Sequence, residues 1–216
     1  MREVIEGLHW LGHASFRLDC AKTIYFDPFK VPSGAKLADI ILVTHGHFDH
    51  LSEVDIRAIS TSASLIVAGK KLHKQLGAAD CKKIEGLSPG DTLDIDGIRI
   101  KAVLSYNTDK EFHPRDSGGV GFIVDIGGVS IYHAGDTDFI PEMADFRCDI
   151  ALLPVSGTYV MSASEAARAA LAIRPKVAIP MHYGDIVGTV SDAEKFRELL
   201  RNKIEVKILT KEGSGK

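Results

Sequence analysis

Residues 41–52 read ILVTHGHFDHLS, and no other stretch constrains the chain as much. The apolar half has the length and continuity of a strand buried on both faces. Ser52 then opens a helix, with Asp55 three residues on and Val54, Ile56 and Ile59 as its apolar positions. Between strand and helix, a short loop holds His45, His47, Asp49 and His50. Crowding three imidazoles and a carboxylate without a cation is costly in desolvation and mutual repulsion. In an extended segment His45 and His47 leave the same face, so both can reach one ion. Asp49 and His50 begin the turn toward the helix and can serve a second ion close by. Imidazole and carboxylate suit zinc, manganese or iron. The loop also lies at the C-terminal end of a strand, where α/β proteins place their sites.

The first third of the chain alternates short β-like runs, EVIEGLHWLG, ASFRLDC and KTIYFD, before DPF breaks the pattern. SLIVAG reads as another buried strand and KKLHKQLG as a short helix ending at Gly77. Two hairpins follow, turning at Asp96-Gly97 and at Gly127-Gly128. The last third alternates the strands DIALLPV, KVAIPMHYG and IEVKILT with two helices. SASEAARAALAI carries a capping-box pattern from Ser162 to Glu165, and SDAEKFRELLRN is opened by Ser191 and Glu194. KEGSGK, residues 211–216, predicts a flexible tail. There is no repeat, linker or break in composition, so residues 1–216 are expected to form a single domain. Hairpins first and β–α units later predict sheets covered by helices on their outer faces.

The net charge of −3 argues against bulk binding to nucleic acid. No apolar run is long enough for a membrane helix, and the N-terminal stretch lacks a signal-peptide block. Cys20, Cys81 and Cys148 are odd in number and widely spaced, which fits a reduced cytoplasm. No membrane and no nucleic-acid partner are expected.

Two ions need more ligands than one loop supplies, and further candidates stand at strand ends. IYHAGDTD puts Asp136 in a glycine-flanked turn, where a carboxylate could bridge two metals. AIPMHYGD puts His182 just past a buried strand, and NTDKEFHPRD carries Asn107 and His113 in a long polar loop. The other histidines read differently. His73 lies on a lysine-rich surface helix, His9 beside Trp10 is structural, and His133 is packed or stands behind the ligands.

THGHFDH resembles the HxHxDH signature of the metallo-β-lactamase fold superfamily. HAGDTD resembles its bridging-aspartate motif and PMHYG its final histidine motif. LGHASFRL is similar to a branch of uncharacterised metal-dependent hydrolases related to the ascorbate-6-phosphate lactonases. The resemblance runs from residue 9 to 184. It implies an α/β fold, a four-layer αββα sandwich, and two divalent metal ions, zinc ahead of manganese or iron. By motif, His45 and His47 bind the first ion, Asp49, His50 and His182 the second, and Asp136 bridges them. The family supplies a third histidine to the first ion from the loop before the bridging aspartate. Here Asn107 stands near that place and the next histidine is His113. His113 is favoured, because imidazole binds these metals better than an amide does. Asp27 in YFDPF matches an aspartate that braces a metal-binding histidine, or it starts an Asp-Pro turn. His13 in GHASF stands behind the ligands, faces substrate, or packs as a structural residue.

The expected enzyme is a binuclear metal-dependent hydrolase acting on a small-molecule ester, lactone or phosphodiester-type substrate. A metal-bound hydroxide would attack, since a water between two ions has its pKa lowered to about 7. Asp49 would be catalytic, orienting that hydroxide. Ser156 in PVSGTY lacks the flanking glycines of GxSxG and is no nucleophile, though its loop follows a strand. Lys110, Arg115 and Lys70 could receive a phosphorylated or carboxylated substrate, or are simply solvated. Two alternatives are a di-iron redox domain of the same fold, whose relatives normally carry a flavin module, and a non-catalytic metal-binding module.

Overall fold

Along the strand Ile40–Val43, successive side chains enter different cores. Ile40 and Leu42 join the main apolar cluster, whereas Ile41 and Val43 join a second one. This is the period-two consequence of a strand covered on both faces. The same alternation recurs on either side of it, with Phe26 and Val67 turned to the main cluster and Tyr25 and Ile66 to the second.

The computed structural model describes residues 1–72, 75–76 and 81–213. Its first sheet is built from β1 (Leu8–Gly12), β2 (Ser15–Asp19), β3 (Thr23–Phe26), β4 (Ile40–Val43), β5 (Leu65–Gly69) and β6 (Lys83–Leu87), in that order. β1 to β3 are antiparallel and β3 to β6 parallel. The second sheet uses β7 (Thr92–Ile95), β8 (Ile98–Leu104), β9 (Val120–Ile126), β10 (Val129–His133), β11 (Ile150–Pro154), β12 (Val177–Met181) and β13 (Glu205–Val206), again in chain order. β7 to β10 are antiparallel hairpins turning at Asp96-Gly97 and Gly127-Gly128, and β10 to β13 are parallel.

The inner faces of both sheets share the main core, where Phe16, Phe26 and Leu42 meet Ile100, Phe122, Ile131 and Leu152. Helix α2 (Glu53–Ile59) covers the outer face of the first sheet through Ile56 and Ile59. Helices α3 (Ala163–Ile173) and α4 (Val190–Leu199) pack on each other and on β11 and β12 of the second. The expected αββα sandwich is therefore the observed architecture. No helix of the described residues is long and apolar enough to cross a membrane.

Several local expectations shift. α1 (Arg2–Glu6) is a helical turn rather than strand, because Val4 and Ile5 are adjacent and pack together on the core while Arg2 pairs with Glu6 one turn on. Val54 is exposed, leaving Ile56 and Ile59 to anchor α2. α4 starts earlier than Ser191, with the Asp192 carboxylate accepting from the Thr189 backbone N–H. β6 carries lysine, glutamate and glycine, a charged edge that apolar patterning does not mark. Of KKLHKQLG, Lys70–Leu72 form a 3-10 turn, while His73, Lys74 and Gly77 lie outside the described residues. The last strand pairs only at Glu205 and Val206, since Ile208 and Leu209 then turn onto the main core. Within the expected tail, Lys211 bridges to Trp10 and Glu212 accepts from Arg17, so this part lies against β1. Residues 214–216 lie outside the described ones.

Candidate metal centre

The parallel halves of the two sheets aim their C-terminal ends at one edge. Asp27 follows β3, the HxHxDH loop follows β4, Asp136 follows β10, Ser156 follows β11 and His182 follows β12. His13 arrives from the β1–β2 turn and His113 from the loop after β8. His13, Asp27 and His182 hold left-handed backbone, at φ 52°, 43° and 60°. Such conformations cost of order 1–3 kcal/mol and persist where the surroundings over-determine them. One tie is the His182 backbone N–H, which donates to the His13 carbonyl at 2.8 Å.

The side chains gather into two adjoining groups that could each hold an ion. One joins His45, His47, His113 and Asp136, the other His13, Asp49, His50 and His182, with the ligand atoms of each group within 4.8 Å of one another. Asp136 touches both. Its Oδ2 lies 3.2 Å from His182 Nε2, 3.4 Å from His113 Nε2 and 3.7 Å from His45 Nε2, and its Oδ1 lies 3.2 Å from His50 Nε2. Four donors held tetrahedrally at about 2.1 Å from zinc stand about 3.4 Å apart, so these separations are those of ligands around an ion. The Nε2 atoms of His45, His50 and His182 and Oδ1 of Asp136 are buried without a hydrogen-bond partner. Orphaned polar atoms facing one another inside a protein call for a cation.

Behind the centre, Asp27 accepts from His50 Nδ1 at 2.7 Å, from the Thr44 backbone N–H at 2.8 Å and from Thr44 Oγ1 at 2.6 Å. With its proton spent on Asp27, Thr44 Oγ1 accepts from His45 Nδ1 at 3.0 Å. Asn107 Oδ1 accepts from His113 Nδ1 at 3.1 Å, and Ser156 Oγ lies 3.1 Å from His182 Nδ1. Four imidazoles thus share one arrangement, with Nδ1 engaged and Nε2 turned to the centre, which is how outer partners orient metal histidines. His47 differs, presenting Nδ1 at 3.0 Å from His113 Nε2.

A β-lactamase superfamily domain model matches residues 7–182. The UPF0173 metal-dependent hydrolase of Thermoplasma acidophilum is 38% identical over 202 residues, covering 88% of both chains. The chain belongs to the β-lactamase superfamily. The UPF0173 metal-dependent hydrolase of Methanosarcina mazei is 33% identical over 93% of both chains. The crystal structure of a Parabacteroides distasonis protein matches with a TM-score of 0.84 and 36% identity, covering 94% of this chain and 93% of that one.

Within this β-lactamase superfamily domain the charges are strongly coupled. Burial works against it, yet the His182 and His50 imidazoles hold the Asp136 carboxyl well below its ordinary range. His50 opposes burial too and is pushed well above the usual histidine range by Asp136 and Asp27. Burial and the neighbouring His50 hold His45 well below that range. Asp49 is lowered despite its burial, chiefly by the hydrogen bond to His13 Nε2 at 2.8 Å, so it is a carboxylate at neutral pH.

The structure brings His13, His45, His47, Asp49, His50, His113, Asp136 and His182 together at this superfamily site, with Asp27 behind them, and places other expected residues elsewhere. Asn107 does not reach the centre. Its Nδ2 donates to Asp138 Oδ1 and the Tyr159 carbonyl, and its Oδ1 holds the backbone and ring of His113. His13 stands among the ligand atoms, its ring 3.9 Å from that of His182, rather than behind them. Thr44 is not marked by the sequence, and Ser156, excluded there as a nucleophile but on a loop that follows a strand, supports a histidine; both contacts become visible only once the strand ends converge. His133 packs behind the site, stacked on Phe26, with Nε2 donating to the Ala14 carbonyl. His9 pairs with Asp19 and Glu212 on the outside. Asn107→Ala should leave the fold intact and weaken metal retention about 10–100-fold, measured by competition with a chelator.

Proposed function

We propose that the chain is a binuclear metal-dependent hydrolase acting on a small ester, lactone or phosphodiester-type substrate. The observation that carries this is the set of buried, unpartnered Nε2 atoms of His45, His50 and His182 converging on Asp136. His45, His47 and His113 would hold one ion, and Asp49, His50 and His182 the other, with His13 alongside. Asp136 would serve both, since its Oδ2 faces His45 and His113 of one group and its Oδ1 faces His50 of the other. Zinc best suits this nitrogen-rich set, ahead of manganese or iron. When bound, the ions supply Lewis acidity and lower the pKa of a water to about 7.

The chain's own residues do the rest. Asp49 lines the cavity over the centre as a carboxylate, placed to accept the proton of an attacking water. His13 fixes that carboxylate through its 2.8 Å hydrogen bond. Asp27, Thr44, Asn107 and Ser156 hold the imidazoles, so the centre is pre-organised and need not rearrange during turnover. Ser156 Oγ is committed to His182 Nδ1, which supports direct attack by water over a serine nucleophile.

The test is a substrate screen with zinc, manganese and iron reconstituted separately, run on the natural chain and on His47→Ala. The expected result is hydrolysis of at least one ester, lactone or phosphodiester probe by the natural chain, lost in the variant. Hydrolysis that persists in His47→Ala would sink the reading.

A further inference from the structure

A cavity of about 200 Å³ opens directly over the centre, with His47, Asp49, His113 and Asp136 on its floor. Its walls are Phe48, Phe112, Tyr159 and Ile186. Phe48 is 69% exposed, Phe112 51% and Ile186 39%. Phe48 and Phe112 are the exposed phenylalanines of the described residues, and both stand at this one opening. Each adjoins a candidate ligand in sequence, Phe48 between His47 and Asp49 and Phe112 before His113. The rings are held in place, since Phe112 meets Tyr159 edge to face at 4.7 Å and Phe48 meets Phe29 at 6.0 Å. A grouped set of exposed apolar side chains around a reactive floor marks a ligand-binding mouth.

Among the described residues, no lysine or arginine lines this cavity. Lys110, Arg115 and Lys30, among those residues, are engaged elsewhere. Lys110 donates to Asp138 at 2.5 Å and Asp109 at 2.9 Å, Arg115 to Glu142 at 2.8 Å, and Lys30 to Asp185 at 2.5 Å. Lys70 sits on the 3-10 turn after β5, away from the walls. The anion-receiving role expected of Lys110, Arg115 and Lys70 therefore finds no support here. Against these walls, beyond the floor where the ions would be held, a phosphate or carboxylate tail would shed its hydration shell without gaining a side-chain cation. An apolar group would instead displace water from phenylalanine and isoleucine.

Resting on the hydrolase reading, we infer that the substrate is an uncharged carboxylic ester or lactone with a small apolar body, selected by Phe48 and Phe112. The cavity holds the volume of about seven waters, which sets the size of that body. In the reaction the water oxygen bonds to the carbonyl carbon and the ester carbon–oxygen bond breaks. The electron pair goes to the alkoxy oxygen, which takes one proton from the water. The new acid releases the other on ionising.

The test compares p-nitrophenyl butyrate with mono-p-nitrophenyl succinate and bis-p-nitrophenyl phosphate on the metal-loaded chain. It also measures calorimetric binding of the two matching anilides, which are not turned over. The neutral ester should be favoured on the order of 100-fold in kcat/KM. The neutral anilide should bind more tightly than the carboxylated one. Phe48→Arg should shift both preferences toward the carboxylated partner by about tenfold or more, at unchanged metal content. Equal or better use of the anionic esters overturns the substrate assignment and leaves the hydrolase reading standing. So does equal or tighter binding of the carboxylated anilide. Selective binding of the neutral anilide with no turnover of any ester supports the cavity's preference and counts against the hydrolase reading instead.

Discussion

Asp136→Asn is expected to lower kcat/KM on the order of 10³-fold, because it removes the charge on which the centre converges. Four imidazole nitrogens lie within 3.7 Å of its two oxygens. The side chain is buried, and its carboxyl stays ionised because His182 and His50 overcome the burial. Asparagine has the same shape, so the fold should survive. With an amide nitrogen in place of one oxygen, however, only the remaining oxygen can act as a ligand, so the side chain can serve only one of the two groups. Metal content should fall below two per chain while circular dichroism is unchanged. Metal content of two with activity within tenfold of the natural chain would show that Asp136 does not span the groups.

Asp27→Ala should be the most damaging change to stability outside the ligands themselves. Asp27 is fully buried and receives His50 Nδ1, the Thr44 N–H and Thr44 Oγ1 within 2.6–2.8 Å. Alanine leaves those donors buried and removes a partner that, after Asp136, raises His50 above the usual histidine range. Removing one partner of a buried charged pair costs about 3–5 kcal/mol. Alanine also tolerates the φ of 43° poorly. Metal affinity should drop about 10–100-fold at the same time, since the tautomers of His45 and His50 lose their common support. Asp27→Asn keeps an acceptor for Thr44 and accepts left-handed backbone more readily, so it should cost less. Thermal denaturation of the metal-free chain separates the two; equal melting temperatures for Asp27→Ala and the natural chain would refute the bracing role.

How far the site can be read from sequence follows from sequence distance. The β4–loop–α2 unit is legible because its strand, histidines and cap lie within residues 40–59. Asp136 and His182 are legible because each closes an apolar strand run. The supporting bonds are harder, since Asn107 reaches His113 across a loop, Ser156 reaches His182 across 26 residues and Asp27 reaches His50 across 23. Lys110 illustrates the same limit for charge. Alone in the sequence it suggests anion binding, but Asp138, 28 residues on, claims it once the β8–β9 loop folds against the end of β10. His13 could be read in several ways because its place depends on the first sheet meeting the second, where its carbonyl receives the His182 N–H. Gly135 shows what motif reading alone leaves unexplained: at φ 62° any Cβ there would meet Thr44 at 3.0 Å, pushing on the residue that holds His45.

The central claim is that two adjoining groups of ligands, joined at Asp136, hold two divalent ions. The most direct measurement is the metal-to-chain ratio by elemental mass spectrometry, after reconstitution with zinc and removal of excess ion. A ratio of two, falling to one or less in Asp136→Asn, is the predicted result. A natural chain that retains no zinc, manganese or iron, or only one ion, would contradict it.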